Sequence, residues 1–394
     1  MSLSPSFYKT DIYKKLGLPR VINARGYFTP TGSSLMAPET IEAMAEAAKA
    51  HVVLTDLRKK VGEVITRVTG AEAGAACAGA SAGLAICAAA CMAGKDPWIH
   101  EQLPNTVYPK RLKNEFIVQH QQFIHHLKRI ELAGGKIVRV GWINECKPSW
   151  IEGHINENTA AIFYSITYAN KETDHVVLQD LIEIAHRHEI PVIVDSAVSY
   201  DITYPARMGA DLAVTSGGKA LRGPSPTGII YGRKDLIEAC EMTTGILARC
   251  MKVGKEELVA LMTALELYEK KDWDAEYAGW RKKMKYIYDK LTNPPIPHVR
   301  VEWNEYNYTP YRTHGAYCNP PYYTPVIPVD LVLDQKALGM TAMDVYKKLM
   351  QGDPAVLVKN MEHIEGILGI GPCNLLDGEE KIVAERIRGV LTKK

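Results

Sequence analysis

A lysine in a short polar segment is the first residue whose chemistry the sequence suggests. Lys219 ends the run Thr215-Ser216-Gly217-Gly218-Lys219, directly after an apolar stretch typical of a buried strand. A lysine amine becomes nucleophilic when desolvation or neighbouring charge lowers its pKa, and it can then form an imine with an aldehyde. The hydroxyl groups of Thr215 and Ser216 could bind a phosphate on the same ligand. Taken alone, Lys219 could equally be a solvated surface group.

An aspartate precedes this lysine by about one β-α-β step. Asp195 ends the apolar segment PVIVD, and ligands of open α/β sheets bind beyond the carboxyl ends of the strands. A carboxylate in that position can pair with a pyridinium nitrogen and keep it protonated, which makes the ring a stronger electron sink. A helix cap or a buried ion pair is the alternative for Asp195 by itself. The succession of strand, aspartate, strand and lysine favours one shared ligand.

Small residues earlier in the chain open a helix that could bind a phosphate. The segment 79–83 reads GASAG and is followed by a helical run over residues 84–92. Small side chains let backbone N–H groups approach an anion, and the dipole at a helix N-terminus favours negative charge. The alternative is an Ala/Gly-rich helix packed tightly in a core. Together with Lys219 and Asp195, the segment favours a phosphate-bearing ligand.

A sheet is needed to bring these residues together, and the pattern of the middle of the chain predicts one. Residues 160–166, 191–197, 212–215 and 228–231 are short and apolar, whereas residues 178–188 have helical periodicity. Strands that are apolar on both faces and separated by helices favour a parallel sheet covered on both sides. We therefore predict an α/β fold with a mostly parallel central sheet and helices on both faces.

The length and composition predict two domains with a sizeable core. The chain has 394 residues, of which 46% are hydrophobic and 23% charged, and this length favours one large domain plus a smaller one. A long helical stretch after Glu256 ends at the proline cluster NPPIP, residues 293–297. We predict an N-terminal segment, 1–50, that joins the small domain, a large domain over 51–292, and a small C-terminal α+β domain over 293–394.

The charge balance gives no reason to expect nucleic acid or an anionic membrane as a partner. Lys and Arg number 47 against 45 Asp and Glu, for a net charge of +2. The N-terminus has no apolar signal region, and the apolar stretch 71–93 is mostly Ala, Gly and Cys, which favours a buried helix over a membrane span. None of the eight cysteines forms a C-x-x-C pair, so we expect no metal site and a cytoplasmic, reducing location.

Five segments together carry a family resemblance. They are VINARG at 21–26, GASAG at 79–83, VDSA at 194–197, SGGKALRGP at 216–224 and RCMKVGKEE at 249–257. The chain resembles, over residues 21–391, the fold-type I pyridoxal-phosphate enzymes of the selenocysteine-synthase-like group, which includes D-glucosaminate-6-phosphate ammonia-lyases. The resemblance implies pyridoxal 5'-phosphate as the cofactor. It also implies that Lys219 carries the Schiff base and shuttles protons, and that Asp195 is the partner of the pyridine nitrogen.

The resemblance extends to other residues around the cofactor. It implies that Ala80, Ser81 and Ser216 are phosphate ligands, and Gly79, Ala197 and Thr215 are further predicted cofactor-binding residues. The residue stacked on the ring should open the helix after the strand 115–119, which makes His120 the candidate. Phe123 is its competitor, and a simple capping role for His120 is the alternative.

Cationic residues are the candidates for binding the substrate. Arg25 lies in an N-terminal segment that the resemblance implies is close to the active site, and a guanidinium suits a carboxylate or phosphate. Arg249, Lys252 and Lys255 match a basic segment of the group, and Lys359 is aligned where related enzymes place an arginine. Each could instead form a surface ion pair. The tract 306–323, rich in tyrosine and proline, is predicted to be either a lid or subunit contact or an irregular surface loop.

These features predict an enzyme that acts at the α-carbon of a small amino acid or amino sugar acid. The resemblance favours a lyase that performs α,β-elimination with release of ammonia. A racemase or an aldolase would use the same quinonoid intermediate. Selenium transfer on seryl-tRNA is disfavoured by the charge balance, and a catalytically inactive relative by the presence of Lys219 and Asp195. The resemblance further implies a homo-oligomer whose active site, for a small-molecule amino substrate, lies at a subunit interface.

Overall fold

The structure, a computed structural model, describes residues 7–8, 10–107, 112–122, 125–166, 174–304, 328–360 and 366–392. Within these residues the chain divides into two compact units. Of the described residues, those from 36 to 270 form the larger unit, and those up to 35, from 271 to 304 and from 328 on form the smaller one.

Strands and helices alternate along most of the described chain. In chain order the strands are β1 (Val21–Asn23), β2 (Ala73–Cys77), β3 (Glu115–Gln119), β4 (Lys136–Val140), β5 (Thr159–Ser165), β6 (Val192–Asp195), β7 (Leu212–Ser216), β8 (Gly228–Gly232), β9 (Val299–Trp303), β10 (Val329–Leu333), β11 (Ala355–Leu357), β12 (Lys359–Asn360) and β13 (Ile367–Ile370). The helices are α1 (Ile12–Lys15), α2 (Pro38–Ala48), α3 (Leu54–Thr69), α4 (Gly79–Ala93), α5 (Pro97–Gln102), α6 (Lys128–Leu132), α7 (Pro148–His154), α8 (Leu178–Arg187), α9 (Tyr204–Arg207), α10 (Lys234–Gly245), α11 (Lys255–Glu269), α12 (Trp273–Thr292), α13 (Gln335–Leu338), α14 (Ala342–Met350) and α15 (Glu379–Thr392).

The larger unit is built on a seven-stranded sheet. Its strand order is β2-β8-β7-β6-β5-β3-β4. Strands β3 to β7 pair in parallel, and β8 runs antiparallel to both of its neighbours, β2 and β7. Alternate residues of β6 belong to two different core clusters, Val192 and Val194 to one and Ile193 to the other, so both faces are covered. The predicted fold, a mostly parallel sheet with helices on both faces, is confirmed.

Helix α4 covers one face, and its small residues let it lie close to the sheet. Its residues are buried without interruption from Ala82 to Ala90, and it packs against α10, β7 and β8. A Cβ atom on Gly83 would lie 2.6 Å from Cγ1 of Val214, closer than any real contact. The opposite face is covered by α3, α8 and α11, whose apolar stripes contribute Leu57, Leu181 and Leu258 to the other cluster.

The smaller unit has its own core. Four strands form an antiparallel sheet in the order β12-β13-β10-β9, and β1 pairs in parallel with β11. Helices α12, α14 and α15 pack together, with Ile287, Val345 and Ile387 fully buried among them. The N-terminal strand therefore belongs to the same unit as the C-terminal part of the chain. Among the described helices of both units, none has the length and apolarity that a membrane span requires.

A buried carboxylate ties together the amino ends of the central strands. Asp211 is 5% exposed. Its Oδ2 accepts the backbone N–H of Val192 at 2.8 Å and lies 2.9 Å from Nε2 of His186, while its Oδ1 accepts from the Arg233 guanidinium at 2.9 Å. These contacts fix the starts of β6 and β7 against the ends of α8 and β8, because one side chain bonds to all of them.

We predict that Asp211→Ala destabilises the fold by about 2 kcal/mol, since it leaves the buried N–H of Val192 without an acceptor. The measurement is the midpoint of urea-induced unfolding. Asp235→Ala is the matched control, because it removes the other carboxylate that pairs with Arg233. The side chain of Asp235 is half exposed, so this substitution should lower the free energy of unfolding by less than about 1 kcal/mol. Equal losses for the two variants would contradict the role assigned to Asp211.

Candidate active site

The carboxyl edge of the large sheet gathers residues that are distant in sequence. Asp195 is the last residue of β6 and Ser216 the last of β7, and these two strands are neighbours. Helix α4 begins at Gly79, directly after β2. Because parallel strands end at the same edge, these three positions open on one side of the sheet. The antiparallel strand β8 begins there as well, at Gly228.

Gly228 forms the floor between the start of α4 and the end of β7. It is paired with Cys77 of β2 on one side and with Ser216 of β7 on the other. A Cβ atom at Gly228 would lie 2.8 Å from the carbonyl carbon of Gly79 and 3.0 Å from the amide nitrogen of Ala80. Glycine is therefore required for the close approach. The result is a narrow cradle lined by the backbone of the first turn of α4, which has no side-chain cap, and by Ser216.

Asp195 is buried at the centre of this edge. Its side chain is 4% exposed, and its Oδ1 accepts the backbone N–H of Ala197 at 3.0 Å. Burial raises the pKa of Asp195, whereas the Ala197 N–H and the charge of Lys219 act in the opposite direction. Strand alternation places the carboxylate on the same face as Ile193, which is the face covered by α4.

The loop after β7 holds Lys219 in a defined position. Gly217 donates its N–H to Thr227 at 2.8 Å and accepts from Gly223 at 2.8 Å. A Cβ atom on Gly217 would lie 2.1 Å from Oγ1 of Thr227, and one on Gly218 would lie 2.6 Å from the Cα of Ser225. Only glycines allow this packing. The loop is consequently rigid where Lys219 branches from it.

The amine of Lys219 is desolvated. Burial lowers the pKa of Lys219, and the charge of Asp195 opposes this shift. Since each charge influences the pKa of the other residue, the two side chains share one local environment; their joint role in binding a cofactor stays a prediction. A lysine with a lowered pKa has a larger neutral fraction near neutral pH, and the neutral amine is the nucleophile that attacks an aldehyde.

The structure separates the hydroxyl groups of Thr215 and Ser216. The Oγ1 atom of Thr215 lies 3.3 Å from the hydroxyl oxygen of the buried Tyr231. Thr215 is on the face of the sheet that also carries Ala213. Ser216 lies on the other face, with Val214. The sheet thus brings Ser216, but not Thr215, to the face of Asp195. A phosphate-binding role for Thr215 stays a prediction without this geometric support.

The predicted ring-stacking residue lies further along the sheet. His120 is half-buried and opens a short 3-10 turn, His120–Gln122, directly after β3. Strand β5 separates β3 from β6, which carries Asp195. Phe123, its competitor, lies outside the described residues. The stacking role of His120 remains a prediction.

Two of the predicted substrate-binding cations lie near each other in the smaller unit. Lys359 of β12 and Asp330 of β10 are both in register with Gly369 of the intervening strand, β13. Burial lowers the pKa of Lys359 to about 8; Asp330 opposes the shift, and the charge of Arg25 contributes to it. The Arg25 guanidinium lies 3.7 Å from the centre of the Phe28 ring. The result is a concentration of positive charge in that unit.

The remaining cationic candidates have different surroundings. Arg249 and Lys252 are exposed. Lys255 is half-buried at the start of α11, where its Nζ donates to the carbonyl of Ala47 at 2.8 Å and also contacts Glu256. Lys255 therefore has a structural role in joining α11 to α2. The tyrosine- and proline-rich tract 306–323 lies outside the described residues.

Two buried polar residues at this edge were not identified from the sequence. Ser165 ends β5, and Gln122 ends the turn after β3; both have no exposed side-chain surface. Ser165 Oγ and Gln122 Nε2 have no hydrogen-bond partner in the described part of the chain. One feature of the sequence could have identified Ser165: like Asp195, it is a polar residue at the end of an apolar strand.

The donor set fits the cofactor implied by the resemblance. A cradle that one Cβ atom would fill can accept a phosphate, a buried carboxylate can hold a protonated ring nitrogen, and a desolvated amine can react with an aldehyde. The orphaned atoms of Ser165 and Gln122 lie at the same edge. Pyridoxal 5'-phosphate carries the three complementary groups on one ring.

Comparison with known proteins finds relatives over nearly the whole chain. The family model described as SelA, L-seryl-tRNA selenium transferase, matches residues 127–279. D-glucosaminate-6-phosphate ammonia lyase of Salmonella typhimurium is 30% identical over 384 residues, covering 96% of this chain and 98% of that protein. The 5'-C-glycyluridine monooxygenase-decarboxylase of a Streptomyces species is 32% identical over 379 residues, covering 94% and 90%. A solved structure of D-glucosaminate-6-phosphate ammonia-lyase superposes with a TM-score of 0.81 at 30% identity, covering 97% and 98% of the two chains.

We predict that Gly228→Ala weakens binding of pyridoxal 5'-phosphate by about tenfold, because the added methyl group displaces the first turn of α4 from the phosphate. The measurement is an equilibrium titration of the purified protein with the cofactor. Gly153→Ala in α7 is the matched control, since a Cβ there meets open space, and its affinity should equal that of the wild type. Unchanged affinity in Gly228→Ala would contradict the assignment of the cradle.

Proposed function

Because this chain belongs to the selenocysteine-synthase-like family of pyridoxal-phosphate enzymes, we propose that it is a lyase that releases ammonia from a small 2-amino acid or amino sugar acid. The observation that carries the proposal is the placement of the buried Asp195 and the half-buried Lys219 beyond the carboxyl ends of the neighbouring strands β6 and β7. It occurs in a chain that is 30% identical to an ammonia lyase over 98% of that relative. D-glucosaminate 6-phosphate is the first substrate to test.

The bound cofactor supplies an electron-withdrawing ring that makes the α-proton of an attached amino compound acidic. Lys219 would hold the cofactor at its aldehyde carbon. Burial lowers the pKa of the Lys219 amine, so it would also be suited to take the proton from C2 of the substrate. Asp195 would hold the proton of the ring nitrogen, and Ser216 with the first turn of α4 would hold the phosphate.

For a 2-amino-3-hydroxy acid these roles lead to a defined set of products. Lys219 would take the proton from C2 and give it to the hydroxyl on C3, which leaves as water. C3 then gains a proton from solvent, and one water molecule replaces the amine at C2. One molecule of ammonia and one of a 2-oxo acid result, with no net oxidation. D-glucosaminate 6-phosphate has this arrangement of amine and hydroxyl on neighbouring carbons.

The carboxylate and phosphate of such a substrate require cations. Arg25 and Lys359 lie near each other in the smaller unit, and Arg249 is exposed in the larger one. Their charge supports the proposal that they bind the anionic groups of the substrate, as the resemblance implies. Lys359 can supply a point charge but not the two parallel hydrogen bonds of an arginine.

A second candidate is an oxidative decarboxylation at a glycyl group. The relative named 5'-C-glycyluridine monooxygenase-decarboxylase is as similar to this chain as the ammonia lyase is. The same α-carbon would react, but with loss of carbon dioxide and consumption of oxygen.

A racemase and an aldolase would also use Lys219 and Asp195. Selenium transfer is supported by the SelA match over residues 127–279.

Product analysis distinguishes these functions. With D-glucosaminate 6-phosphate we expect ammonia and a 2-oxo acid in equal amounts and no uptake of oxygen. With 5'-C-glycyluridine, oxygen uptake and release of carbon dioxide would establish the second candidate and overturn the first. Proton exchange at C2 without ammonia would indicate a racemase.

We further propose that the protein is cytoplasmic and forms a homo-oligomer with the active site at a subunit interface. Six cysteines of the described chain are free thiols: Cys77, Cys87, Cys91, Cys146, Cys240 and Cys250. Free thiols are typical of a reducing compartment. Sedimentation that finds only monomers would contradict the oligomer.

Lys219→Ala should abolish the imine absorbance band of the bound cofactor, because no other residue is proposed to bond to the aldehyde carbon. The measurement is the absorbance spectrum after incubation with pyridoxal 5'-phosphate and gel filtration. Lys60→Ala, at an exposed ion pair on α3, should retain the wild-type spectrum. An imine band retained in Lys219→Ala would refute the assignment.

Asp195→Asn should keep the cofactor bound but lower turnover by on the order of a hundredfold, because a neutral amide cannot hold the proton on the ring nitrogen. Steady-state turnover and the spectrum are measured on the same preparation. Asp201→Asn is the control, since this partly exposed aspartate pairs with Arg207, and it should retain full activity. Turnover near the wild-type value in Asp195→Asn would exclude the electron-sink role.

A further inference from the structure

Two hydrogen-bonding atoms lie buried beside Asp195 without a partner. Ser165 Oγ and Gln122 Nε2 are both inaccessible, and neither has a hydrogen-bond partner in the residues that the structure describes. Burying a polar atom without a partner is unfavourable. Two such atoms from neighbouring residues indicate a group that the protein binds at this position.

The orientation of the Gln122 carboxamide follows from a hydrogen bond that its oxygen accepts. Its Oε1 accepts the backbone N–H of Ser165 at 2.9 Å. Since a backbone N–H can only donate, the oxygen of the amide must face it, and the NH2 group faces away. Gln122 therefore presents N–H donors, and the adjacent Ser165 hydroxyl can donate as well.

The sheet places these donors on a particular side of Asp195. Ser165 is the register partner of Asp195 in the parallel pair β5 and β6, so the two side chains lie next to each other on the same face. Gln122 follows β3, the next strand beyond β5. The phosphate cradle, formed by β7, β8 and β2, lies on the opposite side of β6.

The substitution pattern of the cofactor ring matches this order. On the pyridine ring, the carbon that bears the phosphate arm and the carbon that bears the phenolic oxygen lie on opposite sides of the line from the nitrogen to the aldehyde. With the nitrogen at Asp195 and the phosphate in the cradle, the phenolic oxygen lies towards β5. That side is where Ser165 and Gln122 are.

We propose that the Ser165 hydroxyl and the Gln122 carboxamide are hydrogen-bond donors to the phenolic oxygen of pyridoxal 5'-phosphate, an inference that rests on the proposed function. Donors at this oxygen stabilise the negative charge that it carries, most strongly when the bound cofactor has lost its titratable proton. The two residues thereby lower the pH at which the bound cofactor deprotonates. They also add to its affinity.

The test is a pH titration of the visible absorbance of the bound cofactor in Ser165→Ala and Gln122→Leu. We expect each variant to raise the midpoint by about half to one pH unit, the size of one neutral hydrogen bond. Each should also weaken cofactor binding by about three- to tenfold. Gln122→Leu also removes the acceptor for the Ser165 N–H, so Ser165→Ala keeps the test valid if the larger change prevents folding.

Two matched controls separate ligand binding from structural roles. Gln119 of β3 is also a fully buried glutamine, but both ends of its amide bond to Val176, at 2.7 and 2.8 Å. Gln119→Leu should therefore lower stability without moving the midpoint. Thr40 of α2 has a buried hydroxyl without a partner in the described chain, and Thr40→Val should leave both the midpoint and the affinity unchanged.

The outcomes distinguish this inference from the function on which it rests. A wild-type protein that gains no visible absorbance with the cofactor would overturn the proposed function and this inference together. A wild-type band whose midpoint is the same in Ser165→Ala and Gln122→Leu would overturn only the inference. That result would mean that the two atoms bind a buried water instead.

Discussion

The candidate active site depends on two groups of opposite charge that lie at one edge of the large sheet, largely shielded from water. Burial raises the pKa of Asp195 and lowers that of Lys219, while each charge partly offsets the shift of the other. A buried ionisable group is unfavourable unless it has a partner or a ligand. A cationic ring nitrogen and an aldehyde suit this site, because the nitrogen adds a hydrogen-bond donor and positive charge at the carboxylate and the aldehyde can bond to the amine.

Positioning this pair requires residues with almost no side chain. Gly228 allows the first turn of α4 to approach β7, Gly83 allows the body of α4 to lie on Val214, and Gly217 and Gly218 allow the lysine loop to pack on residues 225–227. The many small residues of α4 are explained in the same way. They bury little apolar surface individually, but they let a helix N-terminus reach the cradle, where its backbone N–H groups can meet an anion.

The sequence was sufficient to predict the sheet, the position of Asp195 at the end of a strand and that of Lys219 in the loop after the next one, because each follows from a short apolar run that ends in polar residues. It was not sufficient for the details of the edge. The antiparallel direction of β8 was missed, although the 217–227 connection is too short for a helical crossover between parallel strands. Thr215 and Ser216 were grouped together, although strand alternation places their side chains on opposite faces. Ser165 and Gln122 belong to no sequence motif. They are identified because each has a buried side-chain atom without a hydrogen-bond partner in the described part of the chain.

In the smaller unit, the choice of lysine rather than arginine has a physical consequence. Lys359 and Asp330 lie on either side of Gly369, a residue without a side chain that could separate them. With burial lowering the pKa of Lys359 to about 8, its positive charge is present below that pH and is lost as the pH rises through it. An arginine would remain charged throughout. Any anion held by Lys359 is consequently bound more weakly in mildly alkaline solution, whereas the neighbouring Arg25 keeps its charge. The pair thus combines one pH-dependent cation with one permanent cation.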